Sequence, residues 1–258
     1  MTNGNFLNLA DEKQPQTVAS GSSRVVECRQ LVASRYNDEH YISKDDIDDV
    51  TGFMNDEIDP YYGNSEYFWT LDGEGRVEAT IRVITYPHHE GEGWEFPLQK
   101  AFELDDEVRQ YIEDFSATSP ERIIEISGLA ERYRANELAS LDMYRRFWQH
   151  SKRSGYDLCL ISADERLDKK LSTLFGDAIR QVGESKFMMG SQTVPSILLP
   201  NSCVQAMSDI YVDKLEKEGQ QAADMYRAVF RYLIDGLEPT YFSDEEKNNM
   251  RRMDVSID

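Results

Sequence analysis

The sequence predicts an α+β fold in which a mostly antiparallel sheet contains one parallel crossover. Two alternating strand candidates flank the turn signal at 72–75, which predicts a hairpin. Residues 121–163 have the pattern of strand, loop, helix and strand, the order of a parallel crossover unit. Two further strand candidates, 178–189 and 193–200, follow it. Helices and strands are therefore mixed along the chain, as in α+β proteins.

Hydrophobic periodicity places the other elements in order. Apolar residues at helical spacing predict a helix over 24–41. The hairpin strands are 65–71 and 76–86, and the region 98–115 is helical with a poor pattern. The segment 164–175 begins with a capping-like aspartate and ends just before a glycine, which predicts a short helix.

The two ends of the chain differ from its middle. Residues 1–22 are polar and rich in Gly, Ser, Asn and Gln, which predicts a disordered N-terminal tail. Residues 23–202 hold all the strand candidates and form the predicted main domain. Residues 203–258 form a predicted helical extension, whose apolar stripe could cover the sheet, cap a cleft or make a dimer.

Composition and charge disfavour several classes of protein. The net charge of −20 argues against nucleic acid and anionic membranes as general partners. No apolar run approaches the roughly 18 residues that span a bilayer, and the N-terminus lacks the pattern of a secretion signal. The three cysteines are widely spaced without a CxxC or Cys/His cluster. We therefore expect free thiols in a cytoplasmic protein, and no metal site.

The strand within 122–128 carries two polar side chains that could do chemistry. Glu125 and Ser127 are two residues apart, so both point to the same face of the strand. In a catalytic site the carboxylate would deprotonate an amine and the hydroxyl would hydrogen-bond an acyl carbonyl. The alternative is a solvated strand face, with Ile124 and Ile126 on the buried side.

Two charged clusters are also candidates for binding. Asp56 and Asp59 could bind a cation or a substrate ammonium, or could form a solvated acidic loop. A basic cluster stands out in this acidic chain, and it could attract an acidic partner or be ordinary helix-surface charge. Its members are Arg132, Arg134, Arg145, Arg146, Lys152 and Arg153.

The turn between the central strand and its helix contains no glycine. Glycine-rich turns at a helix N-terminus let the backbone surround a pyrophosphate, so residues 132–138 do not predict nucleotide binding. The chain also lacks the Walker A, GxGxxG and GxSxG motifs.

Short motifs stand in the order in which they occur in a known family. They comprise a first-helix Arg-x-x-Val, an Asp-x-x-Asp, a strand with a single arginine and a Glu-x-Ser on the central strand. The chain resembles the acyl-homoserine-lactone synthases and, more closely, the FeeM-like N-acyl amino acid synthases. Both are branches of the GNAT acyltransferase fold. The motifs are Arg29-Gln-Leu-Val, Asp56-Glu-Ile-Asp59, Ala79-Thr-Ile-Arg82-Val and Glu125-Ile-Ser127.

The resemblance implies a GNAT-like fold that binds an acyl thioester in a cleft between splayed strands and transfers the acyl group to an amine. It implies no permanently bound cofactor, and a donor that is acyl carrier protein or acyl-coenzyme A. The glycine-free turn and the basic cluster agree with an acidic carrier protein as partner. On this reading the basic cluster meets the carrier, and Glu125 and Ser127 lie at the reacting centre. The residues that shape the amine side are Arg29, Asp56, Asp59 and Arg82.

The chain departs from the family pattern at three places. Gly128 stands where the Glu-x-Ser motif continues with arginine, and Ala33 stands where an aromatic residue is usual. Residues 39–41 do not supply the tryptophan that the family has in this region. The resemblance covers about residues 24–200 and leaves out the C-terminal region. Two other functions stay open. The chain could be a non-catalytic protein that binds an acyl thioester or a protein partner, or it could be a coenzyme A-dependent N-acetyltransferase.

Overall fold

The computed structural model describes residues 23–40, 42–47, 61–86, 94–132, 139–188 and 190–234. Within these ranges a seven-stranded sheet forms the centre of the molecule. Its strands are β1 Ser65–Leu71, β2 Val77–Thr85, β3 Ile123–Glu131, β4 Leu158–Asp164, β5 Ile179–Gln181, β6 Lys186–Met188 and β7 Ser191–Leu198. The α-helices are α1 Ser23–Asp38, α2 Pro97–Ala101, α3 Asp106–Thr118, α4 Ala139–Ser154, α5 Glu165–Phe175, α6 Cys203–Lys217 and α7 Gln220–Leu233.

The strand order is β1-β2-β3-β4-β7-β5, and β6 pairs with β7. The pair β3–β4 is parallel and the other pairs are antiparallel. The parallel pair is joined by α4, which is the usual connection between parallel strands. The predicted hairpin, crossover unit and α+β class are therefore confirmed.

Helices cover both faces of the sheet. We call one the Glu125 face, since Glu125 lies opposite Ile84 on it, and the other the Ile126 face, where Ile126 lies opposite Val83. The Glu125 face packs against α1, α2 and α3. The Ile126 face packs against α4, α5, α6 and α7, in the largest apolar cluster of the described residues. The C-terminal extension is therefore part of the core as far as Leu233.

A bulge interrupts the pairing of β3 with β2. Arg82 lies opposite Ser127 but Thr80 lies opposite Ala130, so β3 has one residue more than β2 in this interval. Gly128, inside the bulge, has φ +61°, which non-glycine residues rarely adopt. A Cβ on Gly128 would lie 3.5 Å from Val32 of α1. The glycine thus allows the bulge to form beneath α1.

The parallel strands separate beyond the bulge. Pairing between β3 and β4 runs from Ile123 and Leu158 to Ile126 and Ile161. Further along, β3 stays with β2 and β4 stays with β7 as far as Asp164. Both strands continue past the end of their pairing, so a gap opens between their carboxyl ends. Splayed strands are the arrangement that the family resemblance implies.

Three predicted segments are divided more finely than the sequence indicates. The helical region 98–115 is two helices, separated where Leu104 bridges to Gly183 of another segment. The helical region after Cys203 breaks at Gly219, which has φ +89°. The candidate strand 178–189 is two short strands, because its backbone turns away to meet Leu104.

Several sequence-based expectations lie outside the described residues. These are the N-terminal tail, the acidic pair Asp56 and Asp59, Arg134 and the last part of the C-terminal extension. Within the described ranges, no helix is long and apolar enough to cross a membrane. The same ranges hold no group of three or more potential metal ligands. All three cysteines are buried and free.

Candidate active site

A cavity of about 260 Å³ occupies the gap between β3 and β4 and continues on both faces of the sheet. On the Glu125 face its lining includes Arg82, Glu125 and Ser127. On the Ile126 face it is bounded by apolar side chains of the sheet and of two helices. The helix residues are Tyr144, Phe147 and Trp148 of α4 and Leu167, Leu171 and Phe175 of α5. The cavity therefore joins a polar end to an apolar end through the sheet.

Glu125 is buried at the polar end of the cavity. Its side chain is 1% exposed, so the alternative of a solvated strand face is wrong for this residue. One carboxylate oxygen, Oε2, accepts a hydrogen bond of 2.9 Å from the backbone N–H of Leu98. Burial raises the pKa of Glu125 to about 8, while the Leu98 hydrogen bond and the charge of Arg82 oppose the rise. The carboxyl group can therefore lose and regain a proton near neutral pH.

The donor to Glu125 comes from the first turn of α2. Pro97 is at the first helical position, where its missing N–H costs nothing and its fixed φ favours the helix. The next residue, Leu98, is fully buried and directs its N–H at the carboxylate of Glu125. Glu125 thus satisfies one of the backbone donors at the start of this helix. This contact fixes the carboxyl group in one orientation.

Arg82 is the second polar group at this end. It is 5% exposed, lies directly opposite Ser127 and points to the same face as Glu125. Its Nε donates to the hydroxyl of Ser65 at 2.8 Å, and that hydroxyl donates to the carbonyl of Tyr61 at 2.7 Å. A buried guanidinium held in this way presents fixed positive charge to the polar end of the cavity.

Ser127 and the bulge form the wall between the two ends. Ser127 is half-buried and lines the cavity together with Gly128 and Leu129. The extra residue disturbs the hydrogen-bond ladder with β2, and β4 no longer runs alongside at this point. Backbone groups of β3 are therefore directed at the gap, where they can bind a ligand instead of a neighbouring strand.

The remaining predicted amine-side residues are not all at the cavity. Arg29 is buried in α1, at 8% exposure, and is not among the described residues that line the cavity. Asp56 and Asp59 lie outside the described residues. Of the four predicted residues, Arg82 is the one that the structure brings together with Glu125 and Ser127.

The predicted basic cluster is not a single surface. Arg145 is 5% exposed and its guanidinium lies 5.0 Å from the ring centre of Tyr232, inside the protein. Lys152 and Arg153 are exposed at the C-terminal end of α4. This helix has 16 residues and is about 24 Å long. Lys152 Nζ lies 5.7 Å from the ring centre of Trp148, which lines the cavity.

The other three members of the cluster are Arg132, Arg146 and Arg134. Arg132 follows β3 directly, is exposed and donates from Nε to the carbonyl of Val77 at 2.9 Å. Arg146 is half-buried in α4, and Arg134 is outside the described residues. Arg145 is therefore not at the surface, and contact of the other members with a carrier stays a prediction. Regular helix geometry spreads residues 145–153 around and along the axis of α4.

Sequence reasoning missed most of the cavity wall. The backbone N–H of Leu98 carries no side-chain signature, although Pro97 does indicate the start of a helix. The wall residues of α5 recur at 167, 171 and 175, a spacing that identifies one face of a helix. That spacing is equally typical of a filled core, so it does not reveal a cavity.

Comparisons with known proteins bear on this fold. No family model matches the chain, and no curated protein matches it. Solved structures do match. The structure of FeeM, an N-acyl amino acid synthase from uncultured soil microbes, matches with a TM-score of 0.51 and 14% identity, over 70% of this chain and 93% of FeeM.

Two further structures show the same likeness. TofI, in a ternary complex with an inhibitor and MTA, gives a TM-score of 0.55 at 13% identity, over 74% of this chain and 93% of TofI. BjaI, a CoA-dependent acyl-homoserine lactone synthase, was solved with SAM and isopentyl-CoA. It gives a TM-score of 0.51 at 13% identity, over 74% of this chain and 82% of BjaI. At such identities the likeness concerns the fold alone, and the chain has the fold of these synthases, as the resemblance implies.

Proposed function

We propose that the protein is an acyltransferase that moves a fatty acyl group from a thioester donor to the amine of an amino acid or a similar small molecule. The observation that carries this is the cavity that joins buried Glu125 to an apolar end through the gap in the sheet. Such a cavity suits a molecule with a polar reacting centre and an apolar tail. The reaction couples a polar acceptor on one face to an apolar donor group on the other.

At the polar end Glu125 acts as the general base. The amine nitrogen attacks the thioester carbonyl carbon, a C–N bond forms, and the C–S bond breaks. The proton lost by the amine passes to the carboxylate of Glu125, directly or through one water, and the departing sulfur leaves as a thiol. A pKa of about 8 places this group where it can accept a proton from an ammonium near neutral pH.

Arg82 and its neighbours select the acceptor. A guanidinium with fixed donors binds a carboxylate well, so an amino acid is a suitable acceptor. Arg29, Asp56 and Asp59 are proposed on the same side, as the family resemblance implies. Their part is to bind the acceptor, while Arg82 positions it against Glu125.

Ser127 and the bulge stabilise the charge that forms on the carbonyl oxygen. A hydroxyl and backbone groups directed at the gap can donate hydrogen bonds to an oxyanion at this position. They are held by two neighbouring strands, so little reorganisation is needed during the reaction. The acyl chain itself lies in the apolar end, against α4 and α5.

The donor is proposed to be acyl carrier protein in the cytoplasm. The turn at 132–138 has no glycine to surround a pyrophosphate, and exposed Arg132 directly follows β3. The proposed carrier surface also includes Arg134 and three basic residues that are spread along α4. These three are Arg146, Lys152 and Arg153. Coenzyme A is the second candidate donor, because positive charge dispersed along α4 is less suited to an acidic carrier protein.

Product analysis tests the function. Purified protein is given octanoyl and dodecanoyl thioesters of acyl carrier protein or coenzyme A, with a mixture of amino acids, and N-acyl products are measured by mass spectrometry. We expect products from the wild type and a loss of about 10²- to 10⁴-fold in rate for Glu125→Gln. Glutamine keeps the acceptor for the Leu98 N–H but cannot take a proton.

Glu121→Gln is the matched control, because Glu121 is exposed just before β3. It should leave the rate unchanged. Absence of products from the wild type with either donor, despite tight donor binding, would favour the non-catalytic alternative. Equal rates for the wild type and Glu125→Gln would remove Glu125 from the reaction.

A further inference from the structure

The C-terminal helices α6 and α7 lie behind the apolar end of the cavity. Their described residues do not line it, but they pack against α4 and α5, which do. The resemblance in sequence ends before α6, at about residue 200. The function of these two helices can be sought in what they contact.

One contact of α7 is with α5. Tyr226 is fully buried, and its hydroxyl donates to the backbone carbonyl of Leu174 at 2.6 Å. Leu174 precedes Phe175, which lines the cavity. The helix ends there at Gly176, where Ile210 of α6 leaves no room for a larger residue. A Cβ on Gly176 would lie 2.8 Å from Ile210 Cδ1. The C-terminal end of α5 is therefore fixed from behind.

The other contact of α7 is with α4. Tyr232 is 1% exposed, its hydroxyl donates to the carboxylate of Asp142, and its ring faces the guanidinium of Arg145. Tyr144, which lines the cavity, lies between these two residues in the sequence. A buried hydroxyl bonded to a charged group is among the stronger hydrogen bonds in proteins. The N-terminal half of α4 is therefore also fixed from behind.

These two tyrosines belong to a single rigid helix. Tyr226 and Tyr232 are six positions apart, which corresponds to about 9 Å along the axis of α7. Each holds one of the two helical walls of the apolar end. The distance between α4 and α5, and with it the space for an acyl chain, is thus determined by the helix that bonds to both.

We infer that α7 sets the longest acyl chain that the cavity accepts, with Tyr226 and Tyr232 as positioning residues. This rests on the acyl transfer proposed above. An apolar cavity of about 150 Å³ holds a benzene molecule, so the whole cavity of about 260 Å³, polar and apolar ends together, has room for roughly ten non-hydrogen atoms of a fatty acid, its carboxyl group included. The wild type therefore accepts chains of medium length, and loosening α7 lets the walls separate and admits longer ones.

Binding of free fatty acids tests the inference without any transfer. Saturated fatty acids of 6 to 16 carbons are titrated by displacement of a fluorescent fatty acid probe. For the wild type we expect affinity to rise with length and to fall beyond roughly ten carbons. In the double variant Tyr226→Phe and Tyr232→Phe, the fall should move to chains at least two carbons longer. The affinity for dodecanoate relative to octanoate should rise at least fivefold.

Each substitution removes one hydroxyl and keeps the aromatic ring, so the core stays filled. The single variants should shift the limit partly, and they serve if the double variant does not fold. Tyr211→Phe in α6 is the control. Tyr211 packs against the same core, and among the described residues its hydroxyl makes no hydrogen bond that fixes α4 or α5. It should leave the chain-length limit unchanged. A lowered melting temperature with an unchanged limit in the double variant overturns the inference.

The outcomes for transfer and for chain length are separable. A limit that shifts in a protein that makes no N-acyl products supports the role of α7 and removes the transferase function. Products formed with the same length distribution by the wild type and the double variant support the transferase function and remove the role of α7.

Discussion

The two ends of the cavity differ in every chemical respect although one gap connects them. The end on the Glu125 face has a buried carboxyl, a buried guanidinium and a serine hydroxyl, held by β2, β3 and the start of α2. The end on the Ile126 face has aromatic and aliphatic side chains of α4 and α5. The sheet separates them because alternate residues of β3 face opposite ways. A single strand thus supplies the chemistry on one side and the apolar floor on the other.

A half-buried carboxylate outside the cavity shows why the cavity is the decisive feature. Glu66 of β1 lies on the Ile126 face, and burial raises its pKa as well. It lies 3.7 Å from His150, and burial lowers the pKa of that imidazole. Neither residue lines the cavity. A raised pKa therefore marks a buried group, and a site needs in addition the space in which a substrate can reach it.

The largest expected effect is on the pH dependence at the polar end. Burial disfavours the charged carboxylate and raises the pKa of Glu125 to about 8, while the base is the charged form. Activity that depends on Glu125 should therefore rise with pH, about tenfold per unit below pH 8, and level off above it. The measurement is kcat/KM from pH 6 to 9 for the wild type and Glu125→Gln.

The ratio of kcat/KM for the wild type to kcat/KM for Glu125→Gln isolates the effect of Glu125. Both proteins use the same amine substrate, so the titration of the amine cancels in the ratio. We expect the ratio to rise about 50-fold from pH 6 to pH 8, where half of the Glu125 carboxyl groups are ionised. A ratio that stays constant over this range would show that proton transfer to Glu125 does not limit the reaction. The rise should be the same with short and long acyl donors, since it belongs to the polar end.

An intermediate effect is expected from filling the apolar end. Ala163 of β4 lines the cavity on the Ile126 face and is 2% exposed. In Ala163→Leu the added methyl groups enter the cavity, so the rate with a dodecanoyl donor should fall about tenfold, in line with the 1–3 kcal/mol expected for a misfit of one or two methylenes. The rate with an acetyl donor is the internal control and should change less than twofold. Equal losses with both donors would place the acyl chain elsewhere.

The smallest expected effect concerns Gly128, where the two ends meet. Gly128→Arg restores the arginine of the resembled motif, but φ +61° is a backbone conformation that opposes any side chain there. We expect a loss of stability of about 1–2 kcal/mol and no gain in rate. Urea denaturation measures the stability. A more active and equally stable variant would show that the chain lacks an arginine that it could use.

The sequence alone predicted the hairpin, the crossover unit and the presence of a C-terminal helical region. These depend on local signals, since the turn at 72–75, alternation along β2 and helical spacing in α4 act over a few residues. It also placed Glu125 and Ser127 on one face of a central strand, because the period of a strand is fixed. The sequence did not decide whether that face is solvated, and the burial of Glu125 shows that it is not solvated at this residue.

Grouping residues into surfaces could not be done from the sequence. The six basic residues are close in the chain, yet the structure places Arg145 inside the protein against Tyr232, while Lys152 and Arg153 are exposed at the C-terminal end of α4. A helix turns residues to different sides and carries them apart along its axis. Closeness in sequence is therefore a poor guide to a shared surface on a helix.

The amino-acid sequence by itself determined the elements, their order and the facing of side chains along each strand, because these follow from local sterics and short-range periodicity. The tertiary structure decided where β3 and β4 separate, that the resulting gap forms a cavity, and that the N–H of Leu98 and the guanidinium of Arg82 meet Glu125. These contacts join segments far apart in the chain. They depend on how helices pack on a sheet, which no local pattern records.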